Sequence, residues 1–365
     1  MKRIVFAGGG TTGHIAPALA VARQWRSSHP DSEIIFVGTS EGLETRLVPE
    51  AGFTLSLITK VKVARSLSPS LLILPFTFIK SVAQAFSILQ GADLLIGFGG
   101  YVSGPTYLAA ALRRIPIVIH EANAHPGIAN RFGARFTSHL AIAYSVKTGK
   151  LSGGLLAGLP LKQDIASAYT TASKDWISAR QQAKSKLGFD PHTPLIFVFG
   201  GSQGSMAINK VMAASRNQLM HKGVQILHGV GAQNEIPQSE KNYQALSYIS
   251  DMSTAYLAAD LIIARSGAVT CSEVNTLGKY ALFIPLPVGN GEQQLNADSL
   301  IKQSRAEIIE QKSFTSDWLI ANVDRLLEKA SLAPIAGSHR DLEAASKIVG
   351  LMEFALSESE PDGGK

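Results

Sequence analysis

A histidine follows a glycine-rich turn close to the start of the chain. Residues 8–13 read GGGTTG, and His14 comes directly after them, between a strand predicted at residues 4–7 and a helix predicted at 15–27. Backbone N–H groups at the start of a helix favour a phosphate oxygen, and a neutral imidazole beside them can accept a proton from a hydroxyl. The pattern predicts a phosphate-binding turn with a general base. A helix-capping or merely exposed histidine is the alternative interpretation.

A second stretch of the chain repeats this arrangement. Residues 194–204 read PLIFVFGGSQG, again a hydrophobic strand that enters a glycine turn before a helix. Another pair of similar segments, ADLLIGFG at 92–99 and ADLIIARSG at 259–267, occurs in the same order. Chance similarity between buried strands could explain either pair alone. The two pairs together favour two Rossmann-like domains in tandem.

The first turn also fits the G-x-G-x-x-G fingerprint of dinucleotide-binding proteins, but its surroundings do not. A nicotinamide site needs an acidic residue at the end of the second strand, and Glu33 stands at the start of that strand instead. A Walker A loop needs a lysine after its last glycine, where this chain has His14. A nicotinamide oxidoreductase and an ATPase are both disfavoured, and no cofactor is expected. Because no metal-ligand cluster and no RNA-binding motif stand out, neither a metal nor a nucleic acid is expected either.

The composition is that of an ordinary globular protein. The chain has 365 residues, of which 45% are hydrophobic and 17% charged, which is enough for two domains. Its net charge of +6 is compatible with phosphorylated substrates or anionic lipid without specifying either. The single cysteine, Cys271, excludes an internal disulfide and fits a reducing compartment. The start of the chain lacks a signal-peptide pattern, and no apolar run approaches the ~20 residues of a membrane span, so a cytosolic or peripheral location is expected.

Strands alternate with helices in both halves, which predicts an α/β fold with parallel sheets. The predicted strands are residues 4–7, 33–38, 93–98, 115–120, 195–199, 224–229, 261–264 and 281–285. The predicted helices are residues 15–27, 43–51 and 175–187 and one that begins at about residue 205. Because ligands bind at the carboxyl ends of parallel strands, we expect two Rossmann-like domains that face each other across a cleft.

The predicted domain boundary lies at a cluster of helix-breaking residues, Gly158-Leu159-Pro160. We expect an N-terminal domain over residues 1–160 and a C-terminal domain over 161–340. A helix at about 341–356 is expected to pack back on the first domain, and residues 357–365 read as a solvated tail.

Six motifs, in order along the chain, resemble those of one enzyme family. They are GGGTTGH at 8–14, GGYVSGP at 99–105, HEAN at 120–123, GGSQG at 200–204, RSGAVTCSE at 265–273 and EQQLNA at 292–297. Together they are similar to the bacterial peptidoglycan glycosyltransferases that add N-acetylglucosamine to undecaprenyl-pyrophosphoryl-muramyl-pentapeptide. The resemblance extends from residue 2 to about residue 352.

This resemblance implies a B-type glycosyltransferase fold and a reaction without a catalytic metal. The implied donor is UDP-N-acetylglucosamine, and the implied acceptor is the C4 hydroxyl of the muramyl sugar on the lipid pyrophosphate. The transfer inverts the anomeric carbon and converts lipid I to lipid II in peptidoglycan synthesis, a step of cell-wall biogenesis on which cell shape and division depend.

The resemblance also implies roles for individual residues. It gives His14 as the catalytic base. Twelve positions are expected to contact UDP-N-acetylglucosamine: Thr11, Thr12, Gly13, Asn123, Lys162, Ser202, Gln203, Ile249, Glu273, Gln293, Gln294 and Asn296. Four others are expected to face the acceptor diphosphate: Gly10, Gly100, Tyr101 and Ser103.

Within the donor set, the implied contacts divide by chemistry. Ser202 and Gln203 belong to the turn under the donor diphosphate, and the backbone of Ile249 is expected to hold uracil. Glu273 is expected to accept both ribose hydroxyls, with a solvated helix glutamate as the alternative. The amides of the three residues in the EQQLNA motif are expected to read the sugar hydroxyls: Gln293, Gln294 and Asn296.

Three positions depart from the family's pattern. Thr12 stands where glycine is common, which restricts the approach of the backbone to a ligand. Lys162 stands where arginine is usual, so the charge is kept but the two-pronged contact with a diphosphate is lost. Glu292 occupies a position that is often histidine or glutamine, which favours Gln293 over it as a ligand contact.

An apolar stretch in the first half suggests a membrane contact. Residues 71–79 read LLILPFTFI, too short and too interrupted by Pro75 to span a bilayer. Basic residues flank it in sequence or lie elsewhere in the same domain: Lys60, Lys62, Arg65, Lys80, Arg113 and Arg114. Apolar insertion combined with basic attraction is typical of peripheral attachment to anionic lipid, although a buried helix start is the alternative. We therefore expect residues 60–80 to bind the cytoplasmic face of the cell membrane. The alternative function is a B-type transferase that acts on a soluble acceptor, and it does not explain this apolar and basic segment.

Overall fold

The chain forms two compact units, each with its own parallel sheet. The computed structural model describes residues 1–61, 70–287 and 291–359. The first unit comprises Met1–Lys162 together with the chain from Asp341 onward, and the second unit is Gln163–Arg340. Each unit packs helices against its sheet around separate hydrophobic cores.

A seven-stranded sheet forms the centre of the first unit. In chain order its strands are β1 (Arg3–Ala7), β2 (Glu33–Gly38), β3 (Thr54–Leu57), β4 (Leu94–Gly97), β5 (Ile117–Glu121), β6 (His139–Ile142) and β7 (Leu155–Leu156). They lie side by side in the order β3-β2-β1-β4-β5-β6-β7, and every neighbouring pair is parallel. The central strand β4 is buried throughout, because helices cover both faces of the sheet, and this explains its unbroken apolar sequence.

In the part of the chain that the structure describes, five helices and one 3-10 turn connect these strands. They are α1 (Thr12–Ser28), α2 (Glu44–Glu50), α3 (Ser70–Ile88), α4 (Ser103–Arg113), α5 (Ile128–Gly133) and the 3-10 turn Lys150–Gly153. The apolar stretch predicted at 71–79 lies in α3, which packs along α4. Within the described residues, no helix has both the length and the apolar character that crossing a membrane requires.

The second unit repeats the plan with six strands. They are β8 (Leu195–Phe199), β9 (Gln225–Gly229), β10 (Tyr243–Leu246), β11 (Leu261–Ala264), β12 (Tyr280–Phe283) and β13 (Ala306–Ile308). Their spatial order is β10-β9-β8-β11-β12-β13, again with parallel neighbours.

The second unit has eight helices among the described residues, and four of these helices begin at a capping side chain. The eight are α6 (Gln163–Ala172), α7 (Trp176–Lys186), α8 (Met206–His221), α9 (Met252–Ala258), α10 (Ala268–Thr276), α11 (Glu292–Asn296), α12 (Asp298–Lys302) and α13 (Ser316–Leu332). The side chains of Asp175, Ser205, Asp251 and Thr315 accept hydrogen bonds from backbone N–H groups in the first turns of α7, α8, α9 and α13. These bonds satisfy donors that would otherwise be unpaired and so fix where each helix starts.

The last helix, α14 (Ala344–Ser359), returns to the first unit. It packs on α1 and on strands β4, β5 and β6, with Ile348 and Met352 fully buried. The helix continues through Ser359, three residues into the predicted tail, and the hydroxyls of Ser357 and Ser359 bond there to carbonyls one turn back. Residues 360–365 lie outside the described part.

Each sheet reverses its direction of growth at one place. In the first unit the reversal lies between β1 and β4, and in the second between β8 and β11. Ligands of open parallel sheets bind beside the carboxyl ends of the strands at such a switch point. Both glycine turns found in the sequence follow a strand at one of these points, residues 8–13 after β1 and residues 200–204 after β8.

Most of the predicted strands are present, and the differences have simple causes. The strands at residues 33–38, 195–199 and 261–264 have the predicted bounds. The strand predicted at 115–120 begins at Ile117, because Pro116 has no N–H for the ladder, and the strand predicted at 281–285 ends at Phe283. Five short strands towards the sheet edges were not predicted: β3, β6, β7, β10 and β13.

Candidate functional site

The first glycine turn connects β1 to α1 at the switch point of the first unit. Thr11 precedes the helix in an extended conformation, with φ of −133° and ψ of 156°. Its carbonyl accepts the amides of His14 and Ile15, whereas the amides of Thr12 and Gly13 have no acceptor among the described residues. These two N–H groups are therefore available to an anion at the start of α1.

The imidazole of His14 is held at one nitrogen. Nδ1 lies 3.2 Å from the carbonyl oxygen of Gly9 and 3.3 Å from the hydroxyl of Thr11, while Nε2 has no hydrogen-bond partner in the described structure. Gly99 and Gly100, with φ of +89° and +88°, pack against the ring. A Cβ added to Gly99 would lie 3.4 Å from Nε2, and one added to Gly100 would lie 3.2 Å from Nδ1. A side chain at these positions would thus press on the imidazole.

The surroundings of His14 favour the neutral ring. Burial lowers the pKa of the imidazole below its ordinary value of 6.5, and this effect outweighs the opposing effects of Glu121, the Gly9 carbonyl and Glu44. A neutral ring that carries its hydrogen on Nδ1, donated to Gly9, has its lone pair on Nε2. The free nitrogen is then the one that can accept a proton.

A buried carboxylate lies beneath the same turn. Glu44, the first residue of α2, is fully buried; its Oε2 accepts the amide of Gly10 at 2.9 Å, and its Oε1 accepts the amide and the hydroxyl of Thr39 at 2.9 and 3.1 Å. Three glycines close around this side chain with no room for a Cβ: Gly9, Gly38 and Gly42. Sequence reasoning missed Glu44, although a glutamate preceded by closely spaced glycines after a buried strand was a usable signal.

This carboxylate also binds the backbone of Gly10, a residue that the family resemblance expects to face the acceptor diphosphate. The amide of Gly10 donates inward to Glu44. A donor that is already paired with a buried carboxylate cannot also bind a phosphate oxygen without breaking that bond.

Ser103 likewise points into the fold. Its side chain is fully buried and lies 3.1 Å from the carbonyl oxygen of Ala7 and 2.8 Å from that of Gly99. The hydroxyl therefore ties the turn after β4 to the end of β1. A contact of Ser103 with the acceptor diphosphate stays a prediction, and the hydroxyl does not point towards one in this structure.

Tyr101 differs from Ser103, because its side chain is 45% exposed. The ring lies against the turn at Gly10, where an added Cβ would be 3.7 Å from Cδ2. The ammonium of Lys60 lies 5.7 Å from the ring centroid. Tyr101, Gly100 and Lys60 therefore form an accessible edge beside His14.

The loop after β5 is organised by a second buried carboxylate. Glu121 accepts the backbone amide of Asn123 at 2.8 Å and its side-chain amide at 3.3 Å, and it also accepts the amide of Gly127 and the side chain of Asn130. Asn130 in turn accepts the hydroxyl of Tyr107. Asn123 is therefore fixed at the carboxyl end of β5.

Lys162 is the last residue of the first unit. It is partly exposed, and no described residue forms a hydrogen bond or an ion pair with it. The structure thus groups the predicted residues of the first unit around the carboxyl ends of β1, β4 and β5, with Lys162 apart from them in the chain.

The second glycine turn presents its polar side chains outward. Ser202 and Gln203 are exposed on the turn between β8 and α8. Gly201 has φ of +95° and nothing within 4 Å of an added Cβ, whereas Gly204 is packed against the backbone of Val230. The turn is therefore held in place at Gly204, while the space around Gly201 is open.

A guanidinium lies at the base of this second turn. Arg265, which follows β11, donates from Nη2 to the hydroxyl of Ser205 at 2.8 Å and to Gln311 at 2.6 Å. Its Nη1 donates to the carbonyls of Ile284 and Pro285. Since Ser205 also caps α8, a positive charge is joined to the N-terminus of that helix by one hydroxyl. Sequence reasoning placed Arg265 in a motif but gave it no role.

Glu273 is held on α10 by a buried tyrosine. The hydroxyl of Tyr256 donates to Oε2 of Glu273 at 2.8 Å, and both side chains are buried. Burial, followed by the nearby charge of Glu273, raises the pKa of Tyr256 well above its ordinary value, so the phenol keeps its proton. The solvated helix glutamate that was the alternative interpretation does not agree with this burial.

Ile249 offers its backbone rather than its side chain. The side chain is buried and packs over Gly229, 3.1 Å from an added Cβ. Neither the N–H nor the C=O of Ile249 has a hydrogen-bond partner in the described part of the chain. A flat heterocycle with a neighbouring donor and acceptor would satisfy both groups.

The EQQLNA segment forms α11 and is only partly available. Oε1 of Gln293 accepts the amide of Leu286 at 2.9 Å, and Asn296 is buried with its Nδ2 3.4 Å from the carbonyl of Ser266. Gln294 is exposed. Among the three, Gln294 has the most accessible side chain, while the other two brace the loops around it.

Comparisons with known proteins identify the family. Residues 4–142 match the glycosyltransferase family 28 N-terminal domain, and residues 195–349 match the glycosyltransferase family 28 C-terminal domain. The chain is 42% identical to the UDP-N-acetylglucosamine--N-acetylmuramyl-(pentapeptide) pyrophosphoryl-undecaprenol N-acetylglucosamine transferase of Streptomyces avermitilis, covering 97% of this chain and 98% of the relative. It is 41% identical to the protein of the same name from Corynebacterium glutamicum strain R, covering 98% and 99%.

Solved structures agree. The crystal structure of MurG from Acinetobacter baumannii is similar with a TM-score of 0.70 and 27% identity, covering 97% of this chain and 100% of that one. CalG4, the calicheamicin glycosyltransferase, has a TM-score of 0.69 at 12% identity over 99% and 100% of the two chains, which shows a shared fold. These matches confirm the prediction of two Rossmann-like domains with a B-type glycosyltransferase fold and the family inferred from the six motifs. This chain belongs to glycosyltransferase family 28.

Proposed function

We propose that this chain transfers N-acetylglucosamine from UDP-N-acetylglucosamine to the C4 hydroxyl of the muramyl sugar of undecaprenyl-pyrophosphoryl-muramyl-pentapeptide. The observation that carries the proposal is the imidazole of His14, with its free Nε2 and lowered pKa at a switch point. The names of relatives that are about 40% identical over nearly the whole chain support the choice of donor and acceptor.

The proposed reaction needs one proton transfer and one displacement. Nε2 of His14 takes the proton of the C4 hydroxyl while that oxygen attacks the anomeric carbon of the donor sugar. The bond from the anomeric carbon to the diphosphate breaks, UDP leaves with the electron pair, and the anomeric centre inverts. His14 then releases the proton to solvent. Charge on the leaving diphosphate is stabilised by N–H groups and a helix dipole rather than by a metal.

The second unit supplies the proposed donor site. The unpaired backbone groups of Ile249 suit the edge of uracil, and the buried carboxylate of Glu273 suits the two ribose hydroxyls. Ser202 and Gln203 lie on the turn that is joined to Arg265, which suits the diphosphate. The amides of the EQQLNA segment are proposed to contact the sugar: Gln293, Gln294 and Asn296.

The remaining predicted residues of the first unit stay proposals for the same reaction. The free amides of Thr12 and Gly13, beside Thr11, suit a phosphate or sugar oxygen. Gly100 and Tyr101 border the accessible edge beside His14 and suit the acceptor diphosphate. Two further residues are proposed to contact the donor: Asn123 and Lys162.

The acceptor is lipid-linked, so the proposal includes attachment to the cytoplasmic face of the membrane. Helix α3 exposes Phe76 and Ile79, which are 75% and 65% accessible, and α4 exposes Leu112. The guanidinium of Arg113 lies 3.8 Å from the ring centroid of Phe86. Of the basic residues predicted to flank this segment, Lys60 and Lys80 are described by the structure, whereas Lys62 and Arg65 lie outside the described residues. The side chains of residues 71–73 are not described either. Apolar side chains beside cations suit the interface of an anionic bilayer.

A transfer assay tests the reaction directly. UDP-N-acetylglucosamine with a radiolabelled sugar is offered with the lipid-linked muramyl-pentapeptide in detergent, and the lipid fraction is extracted. We expect label in the lipid fraction only when the acceptor is present. Label that never enters the lipid fraction, or that enters a soluble muramyl acceptor equally well, would contradict the lipid-linked substrate and favour a transferase with a soluble acceptor.

A sedimentation assay tests the membrane contact separately. We expect the chain to pellet with vesicles that contain phosphatidylglycerol and to stay in solution with phosphatidylcholine vesicles. Phe76→Ser together with Ile79→Ser should weaken pelleting without changing transfer to an acceptor dissolved in detergent. A matched control, Phe354→Ser, removes another exposed aromatic ring of the same unit, on α14, and should pellet like the unmodified protein. Equal pelleting of both variants would contradict the role of α3.

A further inference from the structure

One peptide group joins Glu44 to His14. The carbonyl oxygen of Gly9 lies 3.2 Å from Nδ1 of His14, and the amide of Gly10 donates to Oε2 of Glu44 at 2.9 Å. That carbonyl and that amide belong to the same peptide bond, whose planar trans geometry points them in opposite directions. The carboxylate of Glu44 therefore orients the Gly9–Gly10 peptide group, and this peptide group orients the imidazole of His14.

The carboxylate has little freedom to move. Glu44 is fully buried, and its other oxygen accepts two hydrogen bonds from Thr39. No cation pairs with it in the described part of the chain, so these three hydrogen bonds alone compensate its burial. Movement of the Gly10 amide away from Glu44 would leave one oxygen of a buried carboxylate without a hydrogen bond, which is costly.

The Gly9 carbonyl is also confined from the far side. Gly100 packs so closely that a Cβ there would overlap this oxygen. Gly100 thus leaves little room for this carbonyl to turn away from His14 towards the turn after β4. A carbonyl oxygen can only accept, so its contact with Nδ1 favours the tautomer that carries the hydrogen on Nδ1.

We infer that Glu44 is a positioning residue for the base: by holding the Gly9–Gly10 peptide it keeps the hydrogen of His14 on Nδ1 and leaves Nε2 free for the acceptor hydroxyl. Glu44 itself touches no substrate. This inference rests on the base role proposed for His14 and names the residue that prepares it. It also accounts for a buried carboxylate under a turn whose sequence suggests phosphate binding.

The direct test reads the two ring nitrogens of His14 by NMR in protein labelled with ¹⁵N-histidine, without substrate. In the unmodified protein we expect protonated Nδ1 and unprotonated Nε2, the reverse of the preference of a free histidine side chain in water. Glu44→Gln has one acceptor oxygen in place of two, so it cannot satisfy both Gly10 and Thr39. We expect a substantial population of the opposite tautomer in this variant. The pKa of His14 should fall further, since a negative charge is lost while that of Glu121 stays.

Thr39→Val is the matched control. It removes one hydrogen bond from the same carboxylate but leaves the charge and the bond to Gly10. We expect the His14 spectrum and turnover to match the unmodified protein, whereas Glu44→Gln should lower kcat roughly tenfold, as for loss of one hydrogen bond to a charged group, with the KM for the donor unchanged. A folded Glu44→Gln protein with the original tautomer would overturn the inference.

Glu44→Asp covers the case in which Glu44→Gln does not fold. It keeps the charge but withdraws the carboxylate by one methylene, so the tautomer ratio should shift while the pKa of His14 stays near that of the unmodified protein. An unchanged tautomer ratio and unchanged kcat in this variant would also overturn the inference. Because the spectra need no substrate, they test Glu44 even if the transfer assay fails, and His14→Ala tests the base role without reference to Glu44.

Discussion

The two glycine turns occupy equivalent places in their sheets, yet opposite charges lie behind them. In the first unit a fully buried carboxylate, Glu44, takes the amide of Gly10. In the second unit the guanidinium of Arg265 is bound to Ser205, the residue that caps the helix after the turn. One turn is thus backed by an anion and the other by a cation.

This difference shows that the glycines do not decide what such a turn binds. They permit a tight backbone and leave N–H groups near a helix start, but side chains from neighbouring strands and helices set the local charge. A negative charge behind the first turn suits the support of a histidine. A positive charge behind the second turn suits a diphosphate. The comparison therefore predicts that changes at His14 and its support slow chemistry, while changes at the donor residues of the second unit weaken donor binding.

The largest effect should come from the base. His14→Ala removes the group that accepts the proton, and loss of a general base typically costs roughly 10²–10⁴-fold in rate. We expect kcat to fall by that factor in the transfer assay. His192→Ala, an exposed histidine of the second unit, is the control and should leave kcat unchanged. An unchanged turnover number in His14→Ala would rule out the base role.

Two matched glycine substitutions, one beside His14 and one in the second glycine turn, should lower kcat by different factors. Gly100→Ala and Gly201→Ala both place a side chain at positive φ, which costs roughly 1–2 kcal/mol in each. Only Gly100 also faces the Gly9 carbonyl and the imidazole, whereas Gly201 has open space. We expect Gly100→Ala to lower kcat roughly a hundredfold by displacing His14, with little change for Gly201→Ala. Thermal unfolding of both variants is measured in parallel. Equal losses of kcat in the two variants would show that backbone strain, and not displacement of His14, lowers the rate.

Glu273 should affect binding rather than chemistry. Glu273→Ala removes the carboxylate proposed to accept the ribose hydroxyls, and hydrogen bonds to a charged group are worth about 1.5–3 kcal/mol. We expect the KM for UDP-N-acetylglucosamine to rise roughly 10- to 100-fold with kcat little changed. The 2′-deoxyribose analogue of the donor should be poor for the unmodified protein but no worse than the natural donor for the variant. If the variant still discriminates between the two donors, the carboxylate does not read the ribose.

The smallest effect is the position of the acid limb of the pH profile. The base must be neutral, so kcat/KM falls when pH drops through the pKa of His14, which burial holds below 6.5. We expect the midpoint of that limb to lie below pH 6.5 in the unmodified protein and to be the same in Glu273→Ala. A midpoint above 6.5 would mean that the nearby carboxylates, Glu44 and Glu121, outweigh burial.

The central strands and their turns could be predicted from the sequence because they are buried on both faces. The segments of β8 and β11 are unbroken apolar runs, and β2 is apolar after Glu33; the predicted bounds of all three match. Edge strands such as β3 lack this signal, since half of its residues are exposed and its apolar residues are few.

The direction in which polar groups point could not be predicted. Gly10, Ser103 and Tyr101 all belong to turns that the motifs identified, yet only Tyr101 faces outward. Which way each group turns depends on partners distant in sequence: Gly10 meets a carboxylate 34 residues away, and Ser103 meets a carbonyl 96 residues away. Gly38 and Gly42 precede Glu44 closely in the sequence, but Gly9, which also packs against its carboxylate, lies far earlier in the chain.

The account's central claim is that His14, beside the first turn, performs the chemistry and that the second unit holds the UDP of the donor. Isothermal titration of UDP into the unmodified protein and into His14→Ala, beside the turnover of each, tests it most directly. We predict that the dissociation constant of UDP stays within about twofold while turnover collapses. A loss of UDP affinity in proportion to the loss of turnover would contradict the division between the two turns.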